Sequence, residues 1–244
     1  MCDEWMPIIK VPLTPEQFLQ LPRHPAYKYE YCNNHAYLSP RPRHYHALLE
    51  LGRGEGGGDV AVRRIRAEDL PELEPVFAHT FSTIQPFGSL EDATRREAAR
   101  QCLQRTRTGG DGPWIRRASF VAELDRGLVG AVLITLLPEG DPCDWDSYHW
   151  REPPPVDAVA RRLGRPHLTW IFVSPWQAGR GVGTALLSAA VNELVDMGFR
   201  QLLTTFMTGN DSSMLWHWRN GFRLLAYPDS SRRLGPGGRL QPSP

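Results

Sequence analysis

The chain has 244 residues, with 28 Lys and Arg against 27 Asp and Glu, and its formal net charge of +1 gives no overall field that would recruit nucleic acid or an anionic membrane. Its four cysteines have no C-x-x-C spacing, which argues against a zinc ribbon, a redox dithiol and a disulfide scaffold. No apolar run reaches secretory or membrane-spanning length, so we expect a cytoplasmic protein without a membrane or nucleic-acid partner.

Residues 1–51 are predicted to form a small α+β extension. The stretch LTPEQFLQLP predicts a short helix, and two strands are predicted around Asn33 and Asn34, a pair that tolerates a left-handed turn. The segment weakly resembles the N-terminal part of Uma2-type endonuclease-like proteins, although the nuclease core of that family does not follow. RPRHYH, at its end, is expected to be a solvated turn. The glycine-rich residues 52–58 predict a linker.

Residues 59–228 are predicted to be the main domain, followed by a flexible tail over residues 229–244. A strand in DVAVRRIR precedes a helix in AEDLPELEPVFAHTF, a second helix over residues 90–106 and a hairpin in ASFVAELDRGLVGAVLITLL. Residues 138–166 are rich in Pro, Trp and Asp and predict a long loop with room for one short helix.

The remaining elements begin with HLTWIFVSP, whose continuous apolar run predicts a central strand that is buried on both faces. A helix that ends at Gly198, a strand in FRQLLTTFM, a helix in DSSMLWHWRN and a last strand in FRLLAY follow. This order of elements indicates an α/β fold.

Three glycines alternate directly before a helical pattern in WQAGRGVGTALL, over residues 176–187. A helix start leaves about four backbone N–H groups without partners and carries roughly half a positive charge, so it can bind an anion where side chains leave room. The amides of residues 179–184 are therefore candidates for binding phosphate oxygens, with Arg180 adding charge. The lysine of a P-loop is missing, and G-x-G-x-G differs from the dinucleotide fingerprint. A tight turn without a ligand is the alternative.

VSPWQAGRGVGTALL and the later NDSSMLWHWRNGF together resemble the GNAT superfamily of acyl-CoA-dependent N-acetyltransferases. The first motif of that family, [QR]-x-x-G-x-[GA], begins here with Ala178, so a side-chain contact is lost while the amides are kept. The resemblance implies a mixed, largely antiparallel central sheet with a splayed strand pair and flanking helices. It also implies direct acetyl transfer, in a ternary complex, from acetyl-CoA to an amine of a small molecule or protein, by a monomer or homodimer.

The resemblance also implies site residues. His217 stands where the family usually has a Tyr, so it is the candidate proton donor to the leaving thiolate, with packing against the cofactor as the alternative. No metal is expected. The cofactor-binding candidates, which begin with strand residues whose backbone would bind the pantetheine arm, are Ile171, Phe172, Val173, Ala178, Gly179, Arg180, Gly181, Val182, Gly183, Thr184, Asn210 and Ser213.

The general base is left open by the sequence. Many relatives carry a Glu on the strand corresponding to HLTWIFV, and this strand has none. Asp144, Asp146, Glu152 and His167 are candidates, and spacing selects none of them. DWDSYHW is a candidate lid over an aromatic or cationic substrate. Because the acid is altered and the base unassigned, a non-catalytic acyl-CoA-binding sensor or interaction module is the alternative function.

Overall fold

The computed structural model describes residues 8–24, 27–40, 44–54, 60–124, 127–143, 148–207 and 209–225. These residues form a three-stranded sheet near the N-terminus and a seven-stranded mixed sheet with helices on both faces. None of the helices in the described ranges combines the length and the hydrophobicity needed to cross a membrane.

The small sheet has the order β1-β3-β2 and consists of β1 (Ile9–Pro12), β2 (Tyr27–Cys32) and β3 (His35–Pro40). Helix α1 (Pro15–Gln20) follows β1 and begins with a capping box between Thr14 and Gln17. Asn33 and Asn34 have φ values of 49° and 57°, which is the left-handed turn expected of this pair. The predicted helix and the two predicted strands are confirmed, and β1 is an additional strand.

The large sheet has the order β10-β4-β9-β8-β7-β6-β5, and all its neighbouring strands are antiparallel except β8 and β9. The predicted mixed, largely antiparallel sheet is confirmed. Its strands are β4 (His44–Glu50), β5 (Ala61–Arg64), β6 (Phe120–Leu124), β7 (Gly127–Pro138), β8 (Gly164–Val173), β9 (Gln201–Met207) and β10 (Arg223–Leu224).

Helices cover both faces of the large sheet because β7 carries apolar side chains on both. On one face Phe77 of α2 packs with Phe172, and on the other Leu186 of α5 packs with Val132. We call these the α2 face and the α5 face. The helices are α2 (Leu70–Thr80), α3 (Asp92–Arg107), α4 (Ala158–Arg161), α5 (Val182–Asp196) and α6 (Asp211–Arg219).

Strand β4 changes the predicted division of the chain. It pairs with β9 along its whole length, so the stretch assigned to an extension up to residue 51 ends inside the main sheet. Ala47 and Leu48 are 1% and 2% exposed, since they point to opposite faces that are both covered. The described part of RPRHYH therefore lies in a strand and is not a solvated turn.

Only the start of the predicted linker, residues 52–54, is among the described residues. Gly54 bonds to the Asn192 side chain of α5 through its N–H at 3.2 Å and its carbonyl at 3.3 Å, so the start of the linker is docked. Residues 55–59 and the tail over residues 229–244 lie outside the described residues. Between β7 and β8, the expected long loop spans residues 139–163 and includes α4.

Candidate functional site

Strands β8 and β9 run side by side over only two residue pairs, His167 with Leu203 and Leu168 with Thr204. The register between β7 and β8 shifts just beyond them, and Thr169 is the extra residue on β8. Such a bulge bends a strand and increases its twist. The two strands therefore diverge, which confirms the splayed pair, and we call the space between residues 169–173 and 205–207 the strand gap.

The backbone of β8 beyond the bulge offers polar groups to the strand gap. Ser174 donates its N–H to the Val129 carbonyl at 2.7 Å. Because bonding directions alternate along a strand, Phe172 also faces β7, whereas Ile171 and Val173 face the gap. Ile171 and the Val173 N–H are thus open to an extended ligand, whereas the Val173 carbonyl accepts the Thr80 hydroxyl at 3.0 Å. The role of residues 171–173 in cofactor binding stays a prediction. The open edge also makes β8 less buried than the sequence predicted.

The segment between β8 and α5, residues 178–184, is named the glycine loop here. Gly179 and Gly181 have φ values of 76° and 78°, which side chains other than glycine rarely adopt. A Cβ built on either residue would meet nothing within 4 Å, so the space beside them is open. The first backbone bond of α5 joins the Ala185 N–H to the Gly181 carbonyl at 2.9 Å, and the N–H groups of residues 182–184 precede it at the helix start.

Two side chains add to the electrostatics of the glycine loop. Arg180 and Ala178 are exposed beside the helix start, where the Arg180 charge has the same sign as the partial charge of the helix. The Gln177 Oε1 atom is buried and has no hydrogen-bond partner among the described residues. A ligand with negative groups for the amides fits the loop.

Helix α6 packs against the start of α5. A Cβ on Gly183 would lie 3.2 Å from the Trp216 Nε1 atom, so the third glycine permits close approach of the two helices. Asn210 caps α6 by accepting the Ser213 N–H at 3.1 Å. Asn210 and Ser213 therefore form the start of α6, shortly after the end of β9, and their role in cofactor binding stays a prediction.

His217 lies in the apolar core between α6 and β9 and is only 3% exposed. Its Nδ1–H donates to the Ser213 carbonyl at 2.7 Å, so Nε2 accepts the Thr204 hydroxyl at 3.1 Å. The ring stacks on Phe206 with 4.7 Å between centroids. Burial lowers the pKa of His217 to about 4, so its imidazole is neutral at pH 7. This geometry argues against the proton donor, and the ring packs within the protein core rather than on a surface that a cofactor could contact.

A cavity of about 240 Å³ lies beside the mouth of the strand gap, where the end of α2 reaches β8 through a 3.0 Å bond from Thr80 to the Val173 carbonyl. The small sheet is joined to this cavity through Gln85, one of its lining residues, because the Tyr27 hydroxyl of β2 donates to Gln85 at 2.6 Å and lies 2.8 Å from the Ser89 hydroxyl. The cavity is lined by His24, Thr83, Ile84, Gln85, Gly209, Asn210, Asp211 and Ser212.

A polar cluster occupies the α2 face where the strand gap begins. The Thr205 hydroxyl lies 3.0 Å from His167 Nε2 and 3.4 Å from His46 Nδ1, and so it bridges the two imidazoles. On the other side of the ring, His167 Nδ1 lies 3.1 Å from the Thr169 hydroxyl, which is 2.8 Å from that of Thr135. We call these five residues the His–Thr cluster.

Burial lowers the pKa of His167 to about 3 and that of His46 to about 4. Repulsion between neighbouring imidazoles, including that of His44, adds to the effect, and burial lowers the pKa of His44 too. The three rings are therefore neutral bases at pH 7. In the described part of the chain, no group of three or more His, Cys, Asp or Glu side chains is arranged to bind a metal ion.

The loop between β7 and β8 covers this cluster. The Tyr148 ring meets His46 edge to face at 4.3 Å, and its hydroxyl donates to the Pro142 carbonyl at 2.9 Å. The Trp150 indole donates to the Leu136 carbonyl at 2.9 Å. These contacts hold the ends of the candidate lid, of which residues 144–147 lie outside the described residues.

Among the candidate bases, the structure brings only His167 into a described cluster. Asp144 and Asp146 lie outside the described residues, and Glu152 is exposed. His44 and His46 are absent from the candidates that the sequence indicates, because RPRHYH is predicted to be a turn. The spacing in H-Y-H does indicate such a pair, because two histidines that are two residues apart lie on one face of a strand.

The chain is similar to one known protein family and to several solved structures. Residues 84–222 match the sequence model of the family described as Acetyltransferase (GNAT) family. A search of curated protein sequences gave no match. The PaiA N-acetyltransferase from Thermoplasma acidophilum in complex with coenzyme A is 15% identical, with a TM-score of 0.46 over 75% of this chain and 96% of that one. A GNAT family acetyltransferase from Brucella melitensis in complex with acetyl-CoA is 18% identical, with a TM-score of 0.45 over 76% and 93%.

Proposed function

Because this chain belongs to the acetyltransferase (GNAT) family, we propose that it transfers an acetyl group from acetyl-CoA to a primary amine by direct attack in a ternary complex. The family makes the chain an acyltransferase. What we propose beyond this is that acetyl-CoA is the donor and that a primary amine is the acceptor.

One relationship carries the proposal: the open edge of β8 leads directly into the glycine loop. Ile171 and Val173 offer backbone groups along the gap, and the N–H groups of residues 182–184 follow at a helix start. Acetyl-CoA has amides along its pantetheine arm and a pyrophosphate at the far end, so its two parts match these two surfaces in order.

The acyl group would lie in the strand gap and the amine would approach from the α2 face, where the cavity beside Thr83 and Asp211 opens. The departing thiol has a pKa of roughly 8.5, so its thiolate leaves without much help from an acid. A neutral, buried His217 is compatible with this chemistry, because little is required of a proton donor.

The test is to incubate the protein with acetyl-CoA and a panel of primary amines that includes amino acids, polyamines, arylamines and peptides. We expect thiol release that depends on the amine, with an acetylated product detected by mass spectrometry. Binding of acetyl-CoA with no transfer to any amine class would contradict an enzyme and support the acyl-CoA sensor.

A further inference from the structure

The His–Thr cluster lies at the point where β8 and β9 separate. His167 belongs to the last pairs of the two strands, and Thr205 is the first residue of β9 beyond them. On the α2 face, His167 Nε2 lies 3.0 Å from the Thr205 hydroxyl. This contact therefore bounds the strand gap at the end where the two strands still pair. A group that reacts within the gap on that face has Thr205 as its nearest hydroxyl from β9.

We infer that the Thr205 hydroxyl and the His167 imidazole take the proton from the acceptor nitrogen during acetyl transfer, with His46 positioning Thr205. The inference rests on the proposed function and identifies the base that the sequence left open. It follows from the bridging geometry: a hydroxyl held between two imidazole nitrogens can accept one proton while it passes its own to a ring.

The proton transfer accompanies ordinary aminolysis of a thioester. The amine nitrogen forms a bond to the thioester carbonyl carbon and becomes positively charged, while the π pair of the C=O bond moves to the oxygen. Its N–H bond breaks, the electron pair stays on nitrogen, and Thr205 takes this proton while its own hydroxyl proton passes to His167 Nε2. The oxygen then re-forms the C=O bond as the C–S bond breaks with its electron pair on sulfur, and the thiolate takes the proton back from His167 through Thr205, so that amine and thioester become amide and thiol.

The low basicity of the ring fits this particular proton. A free alkylammonium with a pKa near 10.4 is too weak an acid for such a base. The nitrogen of the adduct is a stronger acid than the free ammonium, because its carbon carries the sulfur and because loss of the proton leads on to a stable amide as the thiolate leaves. The acceptor must therefore arrive as a neutral amine, which favours arylamines and α-amines over lysine side chains and polyamines.

Several charged and titratable groups surround His167. His44 and His46 face it from β4. Tyr148 covers His46 from the loop, and Arg165 precedes His167 by two residues on its own strand. Burial raises the pKa of Tyr148 to about 12, so it stays a neutral phenol over the working range.

Two adjacent threonines of β9 provide a matched pair of variants. Thr205→Val removes the bridging hydroxyl on the α2 face, and Thr204→Val removes a buried hydroxyl of the same size on the α5 face, where it bonds His217. The probes are acetyl-CoA and the amine of the panel that gives the fastest thiol release. kcat, both KM values and the dissociation constant for acetyl-CoA are measured for each variant.

We expect Thr205→Val and His167→Gln to lower kcat by ~100-fold or more while the dissociation constant for acetyl-CoA is unchanged. Thr205→Ser should restore most of the rate, because it returns the hydroxyl. Thr204→Val should keep the wild-type kcat. If Thr205→Val fails to fold, the comparison of Thr205→Ala, Thr205→Ser and His46→Gln serves the same purpose.

Wild-type turnover in Thr205→Val and His167→Gln would overturn the inference and leave the proposed function intact. A large loss in Asp144→Asn or Asp146→Asn, with the Thr205 variants active, would assign the base to the loop instead. Absence of amine-dependent thiol release from the wild-type protein would instead contradict the proposed function itself.

Discussion

His217 donates its Nδ1–H to the Ser213 carbonyl at 2.7 Å, one helical turn earlier on α6. The bond turns the ring into the core, where Thr204 occupies the second nitrogen. A histidine in this setting stabilises the contact between α6 and β9 and has no proton to give to a thiolate at pH 7.

We therefore expect His217→Phe to keep kcat close to the wild-type value while lowering the free energy of unfolding by about 1–2 kcal/mol, because the Thr204 hydroxyl loses a partner. The pKa of His217 is lowered to about 4 in the folded protein from an ordinary 6.5, so protonation favours the unfolded state as the pH falls between these values. Urea unfolding at pH 7 and pH 5 measures the loss of unfolding free energy and its pH dependence, and amine-dependent thiol release measures kcat. The variant should lose less stability on acidification, and a large loss of kcat would restore the proton-donor role.

The pH dependence of turnover should follow the acceptor and not a histidine. With pKa values of about 3 for His167 and about 4 for His46, the cluster is neutral throughout pH 5.5 to 8.5. kcat/KM for an alkylamine should rise with pH over this whole range, since more of the amine is neutral, and for an arylamine it should be flat. A common inflection near pH 6.5 for both amines would show that an ordinary histidine controls the rate.

Glu193 should make the fold sensitive to acid. Burial acts to raise the pKa of this carboxylate on α5, but hydrogen bonds from Arg64 and Arg117 outweigh it, so that the pKa is lowered from 4.5. Stability from these bonds is present above pH 4.5 and is lost as the pH falls through the lower folded value. Glu193→Gln should reduce the free energy of unfolding at pH 7 by about 1–3 kcal/mol and flatten its decline below pH 5.

The matched control for Glu193→Gln is Glu97→Gln, whose ion pair with Arg100 is on the surface of α3. Exposed pairs contribute little, so the unfolding midpoint of the control should equal that of the wild-type protein. Equal midpoints for both variants would contradict a stabilising role of the Glu193 bonds.

The small N-terminal sheet should affect the acceptor and not the donor. Tyr27→Phe removes the hydroxyl that holds Gln85 and Ser89 beside the cavity. We expect KM for the amine to rise several-fold while the dissociation constant for acetyl-CoA and the midpoint of thermal unfolding stay the same. Tyr31→Phe, which removes a hydroxyl bound only within the small sheet, is the control. Equal KM values for the amine in both variants would show that the small sheet does not affect acceptor binding.

The features that local sequence chemistry dictates were predictable. Gly179 and Gly181 have positive φ values before an apolar helix, and Asn33 with Asn34 forms the expected turn. Each depends on residues that are neighbours in the chain, so composition and spacing contain the information.

The features that depend on distant pairing were not predictable. β4 joins β9 across more than 150 residues, as in the pair of Glu50 with Gln201, and nothing local separates such a strand from an appendage. The environment of His217 depends on Thr204 of a neighbouring strand. The bulge at Thr169 has no glycine or proline to reveal it.

The most direct test of the account is a calorimetric titration of acetyl-CoA into the wild-type protein, Gly181→Glu and Gly52→Glu. Both variants add a carboxylate at an exposed glycine with nothing within 4 Å of its Cβ, but only Gly181 lies at the start of α5 with a φ of 78°. The account predicts one site per chain in the wild-type protein and in Gly52→Glu, and at least ~10-fold weaker binding in Gly181→Glu, because the carboxylate would occupy the anion site. No binding by the wild-type protein, or equal binding by Gly181→Glu, would contradict it.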